Sequence, residues 1–320
     1  MKIAFALCPL TIGIVLCAQP QPVGDALAQA TASLEAGEAD HALAQLNSLS
    51  PSAEVLNLKC RVHYALEQWD AAVSECEQAV NKDAQEAAFH LWLGRALGEK
   101  AERASFMSAF SLAKKVCAEF EAAVRLDPRS ADALADLGEF YSSAPGVVGG
   151  GVDKAGKVAT QLEAVDPARA HELRGRIGET RKDYAAAERE FKQAVAASQH
   201  PAFQWMTLAS YYRRREQWGE LDSSIDSGVK AAQRDKRSAV ALFNGSSVLS
   251  RGNRNLALAA TMLEDYLNSG SLTEEAPAFV AHTRLARLKV QVGDKAAAQQ
   301  ERAKALALAH DYKPALDLKF

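Results

Sequence analysis

Small and bulky apolar residues recur along this chain at the spacing of one helical face. In EQWDAAVSECEQAVNKDA, from Glu67, the face is Ala72, Cys76 and Ala79. In DKAGKVATQLEAVDPARA, from Asp153, it is Ala155, Ala159 and Leu162. In KDYAAAEREFKQAVAAS, from Lys182, it is Ala187, Phe191 and Ala194. The i, i+4, i+7 pattern predicts an amphipathic helix each time. Acidic residues and turns often follow, as at Asp127-Pro128 and Asp166-Pro167. A new helix then opens around its own small residue: Gly94 in HLWLGRAL, Gly138 in LADLGEFY, Gly175 in ELRGRIGE. No alternating run of β-branched residues is long enough to predict a sheet. The pattern predicts an all-α chain of antiparallel helix pairs.

The phased recurrence resembles the tetratricopeptide repeat (TPR), in which two antiparallel helices make a unit of about 34 residues. That family places small residues at repeat positions 8, 20 and 27, with bulkier ones near 17 and 24. The unit from Ala53 supplies Cys60, Trp69, Ala72, Cys76 and Ala79. The unit from Ala131 supplies Gly138, Tyr141, Ala155, Ala159, Leu162 and Pro167, and that from Ala168 supplies Gly175, Tyr184, Ala187, Phe191 and Ala194. A weaker unit from Ala202 has Ala209, Tyr212, Trp218, Leu221 and Gly228; two degenerate ones lie around Gly245 to Ala257 and Ala286 to Ala298. An opening pair, Ala26–Leu49, reads as a cap. The resemblance implies an α-solenoid of about seven to eight pairs in a right-handed superhelix. The expected division is a signal peptide over 1–18, a capping pair over 19–52, repeats over 53–310 and a tail over 311–320. Trp69, Trp92, Trp205 and Trp218 read as packing between repeats.

Two units are irregular. From Gly138 to Ala155 is 17 residues, where the family has about 12. The sequence SSAPGVVGGGVDKAGK therefore carries a loop inserted between paired helices, with Pro145 stopping the first. It lacks the lysine and hydroxyl of GxxxxGK[ST], so it is not a nucleotide loop. It reads as a structural or flexible loop, and deletion of Val147–Gly151 is expected to leave the protein folded. The alternative is partner contact through Gly146, Gly149, Gly150 and Gly151. From Gly94 to Val116 is 22 residues. This extra length reads as a lengthened helix pair with Phe106, Met107 and Phe110 near its tip, either packed on the neighbouring insertion or exposed for contact.

Composition narrows the class. Of 320 residues, 48% are hydrophobic and 24% charged, and the net charge is −3. That is neither disordered nor basic enough to point to nucleic acid. Lys2 precedes an uncharged apolar stretch from Ile3 to Ala18, which is short for a membrane span and reads as a cleavable secretory signal. A lipoprotein at Cys17 and an uncleaved anchor are the alternatives. The expected location is periplasmic or secreted, with no membrane span in the mature chain. Export would place Cys60, Cys76 and Cys117 in an oxidising compartment. Cys60 and Cys76 face each other across one helix pair; they either form a disulfide or stay as two buried thiols.

Candidate chemistry is sparse. The seven histidines are scattered, and no HExxH, GxSxG or zinc spacing occurs. No catalytic residue, metal or cofactor is expected. The resemblance implies that first helices line a concave groove. Position 9 holds Arg61, Arg95, Arg176 and Arg287, and Arg213 falls at position 12 of another unit. Guanidinium forks suit carboxylates, so the expectation is an arginine-lined groove for an acidic or C-terminal peptide. The competing reading is ion pairing between helices, with Glu139, Glu172 and Glu179 as partners. The expected function is a non-enzymatic scaffold for protein partners, of undetermined oligomeric state. The alternative is a small-molecule-binding partner subunit of an envelope transport system, where a similar GG-containing loop precedes the second helix of a pair.

Overall fold

A computed structural model describes residues 23–320; the signal reading over 1–18 lies outside the described residues. The described residues form eight antiparallel helix pairs. The first four are α1 (Val23–Glu35) with α2 (Ala39–Asn47), α3 (Ala53–Ala65) with α4 (Trp69–Lys82), α5 (Ala87–Glu102) with α6 (Phe106–Leu126), and α7 (Ala131–Ser143) with α8 (Val152–Glu163). The next four are α9 (Pro167–Thr180) with α10 (Tyr184–Ala197), α11 (Ala202–Arg214) with α12 (Trp218–Arg234), α13 (Val240–Arg251) with α14 (Leu256–Leu267), and α15 (Ala278–Gln291) with α16 (Lys295–Leu308). A short α17 (Lys313–Leu316) follows. Among the described residues there is no strand, and no helix is long and apolar enough to cross a membrane.

One turn recurs. Glu67, Lys182, Glu216, Asn253, Gly37 and Gly293 all have left-handed backbone. The next residue's N–H closes back on the preceding helix, as in Gln68 to His63, Asp183 to Gly178 and Gln217 to Tyr212. This six-to-one bond satisfies carbonyls that the helix end would otherwise leave unpaired. Seven residues before each left-handed residue sits a small buried one: Ala30, Cys60, Gly175, Ala209, Ser246 and Ala286. These turns set the phase of the array, and they correct one unit. The buried position on α14 is Ala259, not Ala257, because Asn253 and Asn255 are both left-handed and the turn is one residue longer; on α13 Gly245 is itself a close approach, where a Cβ would stand 2.3 Å from the Met262 methyl. The opening pair, with Ala30 and Ala42 fully buried, carries the same signature as the others.

Close approach explains the small residues. A Cβ on Gly175 would stand 2.7 Å from the Phe191 ring, and one on Gly94 would stand 2.5 Å from Phe120. The space vacated at one position is filled by the aromatic of the paired helix. First helices also pack on first helices of the next pair, α7 on α9 and α11 on α13. Second helices of successive pairs pack far less on one another, with α16 meeting α2 at the seam, so the first helices line the shorter, inner circumference.

The two ends of the array meet. Leu34, Leu46 and Val62 share one core with Phe279, Ala309, Tyr312 and Ala315. Gly37 lies so close to α15 that a Cβ there would stand 2.3 Å from the Ala278 nitrogen. Polar contacts cross the same seam: Arg61 to Glu274 at 2.7 Å, Gln68 to Asp311 at 2.7 Å, and the His310 backbone N–H to Asp40 at 2.9 Å. Residues 311–320, expected as a tail, contribute Tyr312 and Ala315 to this shared core.

Both insertions fall where the spacing places them. The first lengthens α5 and α6, the latter to 21 residues. Phe106 and Met107 at its tip are 85% and 78% exposed, and Phe110 is partly exposed under Lys114. The second forms a single 3₁₀ turn over Gly146–Val148 and packs on α6. Val148 is buried, and a Cβ on Gly149 would stand 2.6 Å from the Cys117 sulfur. Gly150 is tighter still, 1.9 Å from the Ala144 carbonyl oxygen. Lys154 donates to the Gly149 carbonyl at 2.8 Å. The loop is thus a fitted plug over α6. Cys60 and Cys76 are joined by a disulfide, and Cys117 is free and buried.

Candidate anion pocket on the inner face

The inner face does not present a uniform arginine stripe. Position 9 of α3 and α5 places Arg61 and Arg95 against Trp92, with guanidinium carbons 5.5 and 4.8 Å from the ring centroid. Each also has its acid. Arg61 donates twice to one oxygen of Glu274, and Arg95 donates to Asp136 at 2.6 Å. Asp136 is held above the usual carboxylate range by burial, against the pull of Arg95. Arg176 pairs with Glu139 at 3.1 Å, and Arg287 donates to the Pro314 carbonyl at 3.3 Å. These four are engaged within the chain; of the expected partners only Glu139 pairs with one of them, and Arg287 meets a carbonyl rather than an acid.

Arg213 stands apart. It lines a cavity of about 260 Å³ on the inner face, between α9, α11, α13 and α15. Arg176, Arg214, Arg251 and Arg284 also line it, with no aspartate or glutamate among the lining residues. Arg176 is matched by Glu139, and Arg214 by Glu179 at 2.7 Å. Arg213, Arg251 and Arg284 have no acidic partner among the described residues. The Nε of Arg213 is buried without any hydrogen-bond partner. Arg284 lies over the Phe243 ring at 3.9 Å and donates to the Ser247 hydroxyl.

Local sequence explains the opening. Position 9, an arginine in α3, α5, α9 and α15, is Ser210 in α11 and Ser247 in α13. Two small side chains replace two long ones and leave room between the helices. Arginines from other phases enter that room: Arg213 and Arg251 from the ends of their helices, Arg284 from the second turn of α15. The electrostatic signature is mutual repulsion. Burial pushes the Arg213 guanidinium below its ordinary range, and the charges of Arg214 and Arg251 push it further. Burial brings Arg284 down to about 10, with Arg251 and Arg287 adding to it and Tyr312 and Glu67 opposing it. A group with two or more acceptor oxygens entering this cavity would meet three charged forks with no carboxylate among the lining residues.

Next to the pocket, Glu172 on α9 is pushed up to about 7 by burial, against the attraction of Arg176 and Arg169. One of its oxygens has no hydrogen-bond partner. At the seam, Asp40, His310 and Asp311 bring ligand-type atoms within 4.8 Å. These groups are already engaged with one another and with Gln68.

Among solved structures, the chain is similar to TTC0263, a thermophilic TPR protein from Thermus thermophilus, with TM-score 0.50, 16% identity, and coverage of 59% of this chain and 97% of that one. The fold is of the TPR type. A TPR protein from Parabacteroides merdae aligns over 83% of this chain and 99% of its own, with TM-score 0.39 and 14% identity. The APC/C hetero-tetramer Cut9-Hcn1 aligns over 91% of this chain and 54% of its own, with TM-score 0.42 and 13% identity. No family profile matches the chain, and no curated protein matches it in sequence. Against the TPR pattern, Arg61, Arg95, Arg176 and Arg287 hold position 9 but are tied internally, while Arg251 and Arg284 were missed by reading one position alone. The signal that points to them is the pair of serines, Ser210 and Ser247, where other units carry arginine.

Proposed function

We propose that this TPR-type chain is a non-enzymatic interaction scaffold that holds an acidic protein or peptide segment against its inner face, in the cell envelope or outside the cell. The observation that carries the reading is the arginine triad of Arg213, Arg251 and Arg284, unmatched by acid in a cavity on the inner face. The apolar stretch after Lys2 supports export. The test is affinity capture from the native host with wild type and an Arg213→Ala/Arg251→Ala double variant, against an Arg181→Ala control. A partner retained by wild type and the control but lost by the double variant is the expected result. A partner held equally by all three would overturn the inner-face reading. The small-molecule-subunit alternative is favoured by the size of the cavity and by the meeting of the array's ends, which together suit a compact ligand more than a long peptide.

A further inference from the structure

Resting on the inner-face reading, we infer that the group bound between Arg213, Arg251 and Arg284 is a phosphoryl dianion rather than a single carboxylate. The chain treats its inner arginines in two ways. Arg61, Arg95, Arg176 and Arg214 each have a carboxylate from a neighbouring element. Arg213, Arg251 and Arg284 come from three successive first helices into one cavity, and no acid is supplied. The clustered charges repel one another, so the site is costly when empty and is relieved by an anion. One carboxylate offsets only one of three charges. A phosphoryl group carries about −1.5 to −2 near neutral pH and presents three strong acceptor oxygens.

The donors match that count. Arg213 offers a buried Nε–H with no partner. Arg251 lines the same cavity and is exposed. Arg284 is fixed by the Phe243 ring below it and the Ser247 hydroxyl beside it. Asn244 adds an amide at the wall. Planar forks from three directions suit a tetrahedral oxyanion better than a planar carboxylate, which one fork can satisfy alone. A cavity of about 260 Å³ admits a phosphoryl group with part of what bears it.

The group can arrive on a polypeptide side chain or on a small phosphate ester. The experiment is calorimetric titration of the full chain with inorganic phosphate, O-phosphoserine and a phosphoserine peptide, with acetate and an unphosphorylated acidic peptide at matched ionic strength. Saturable phosphate binding is expected, weakened about tenfold or more in Arg251→Gln and in Arg213→Gln. Arg251 is exposed, so its variant keeps the fold. Arg181→Gln, paired on the outside with Asp153, should bind as wild type does. A peptide that binds more tightly than O-phosphoserine identifies a polypeptide source; equal affinity identifies a small ester. Phosphate behaving as acetate does, or binding unchanged in Arg251→Gln, overturns the inference. If the unphosphorylated peptide binds and phosphate does not compete, the dianion is excluded while the scaffold reading stands.

Discussion

The Tyr312 hydroxyl donates to the Glu67 carboxylate at 2.7 Å, although 245 positions of sequence separate the two residues. Tyr312 is buried against Phe279 with ring centroids 4.9 Å apart, and burial, with Glu67 beside it, pushes its phenol far above the ordinary range. Here the seam has both an apolar and a polar component. Tyr312→Phe keeps the ring and removes the donor. It should cost about 1.5–3 kcal/mol, as for a single hydrogen bond to a charged group. Thermal or urea unfolding checks it, and no change would mean that water replaces the contact fully.

Glu172 makes stability depend on pH. Its folded value of about 7 lies above the reference of 4.5 because burial penalises the charge. The native state therefore holds this proton more tightly than the unfolded chain does. The contribution is greatest below the unfolded value and is lost as pH rises through the folded one. Glu172→Gln removes the ionisation. Its advantage over wild type should grow between about pH 5 and about pH 8, reaching about 2 kcal/mol; the side chain is only partly shielded, which trims the full shift. Melting curves across that window decide it, and a constant offset would speak against Glu172.

Gly150 should tolerate no side chain. A Cβ would press on a backbone oxygen at 1.9 Å, which cannot rotate away. Gly150→Ala is expected to destabilise by about 2 kcal/mol or more. Gly146→Ala, with nothing within 4 Å, should be close to neutral. Equal stability of the two variants would show that the loop sits differently on α6.

The Cys60–Cys76 bridge closes a span of 16 residues. Joining both helices of one pair should contribute about 2–4 kcal/mol, chiefly by restricting the unfolded chain. The Cys60→Ala/Cys76→Ala double variant avoids a stray thiol and should be less stable by that margin. Wild type in reductant should move the same way, and an unchanged melting temperature would argue that the thiols are unbonded in solution.

Much of the architecture was legible because close packing is written locally. Gly94, Gly138 and Gly175 mark where helices touch, and Phe120, Leu173 and Phe191 fill those contacts. The buried face of α14 lies at Ala259 rather than Ala257 because the turn carries an extra left-handed asparagine, and asparagine does not announce that conformation as glycine does. The meeting of the ends was not legible. It depends on small rotations accumulated over every pair, and no short window contains them. The site was half legible. Arginine spacing is visible in sequence, but whether an arginine is matched depends on an acid from another helix. Glu274 quenches Arg61 from 213 positions away.

Because the first and last pairs cover each other, this protein cannot change its number of units as an open array can. Duplicating one pair, which merely lengthens a linear stack, would here force the ends apart and wet Leu34, Phe279 and Tyr312. The perimeter thus closes on the eight pairs of the described residues, and extra length enters as longer helices at Phe106 or a longer loop at Gly146.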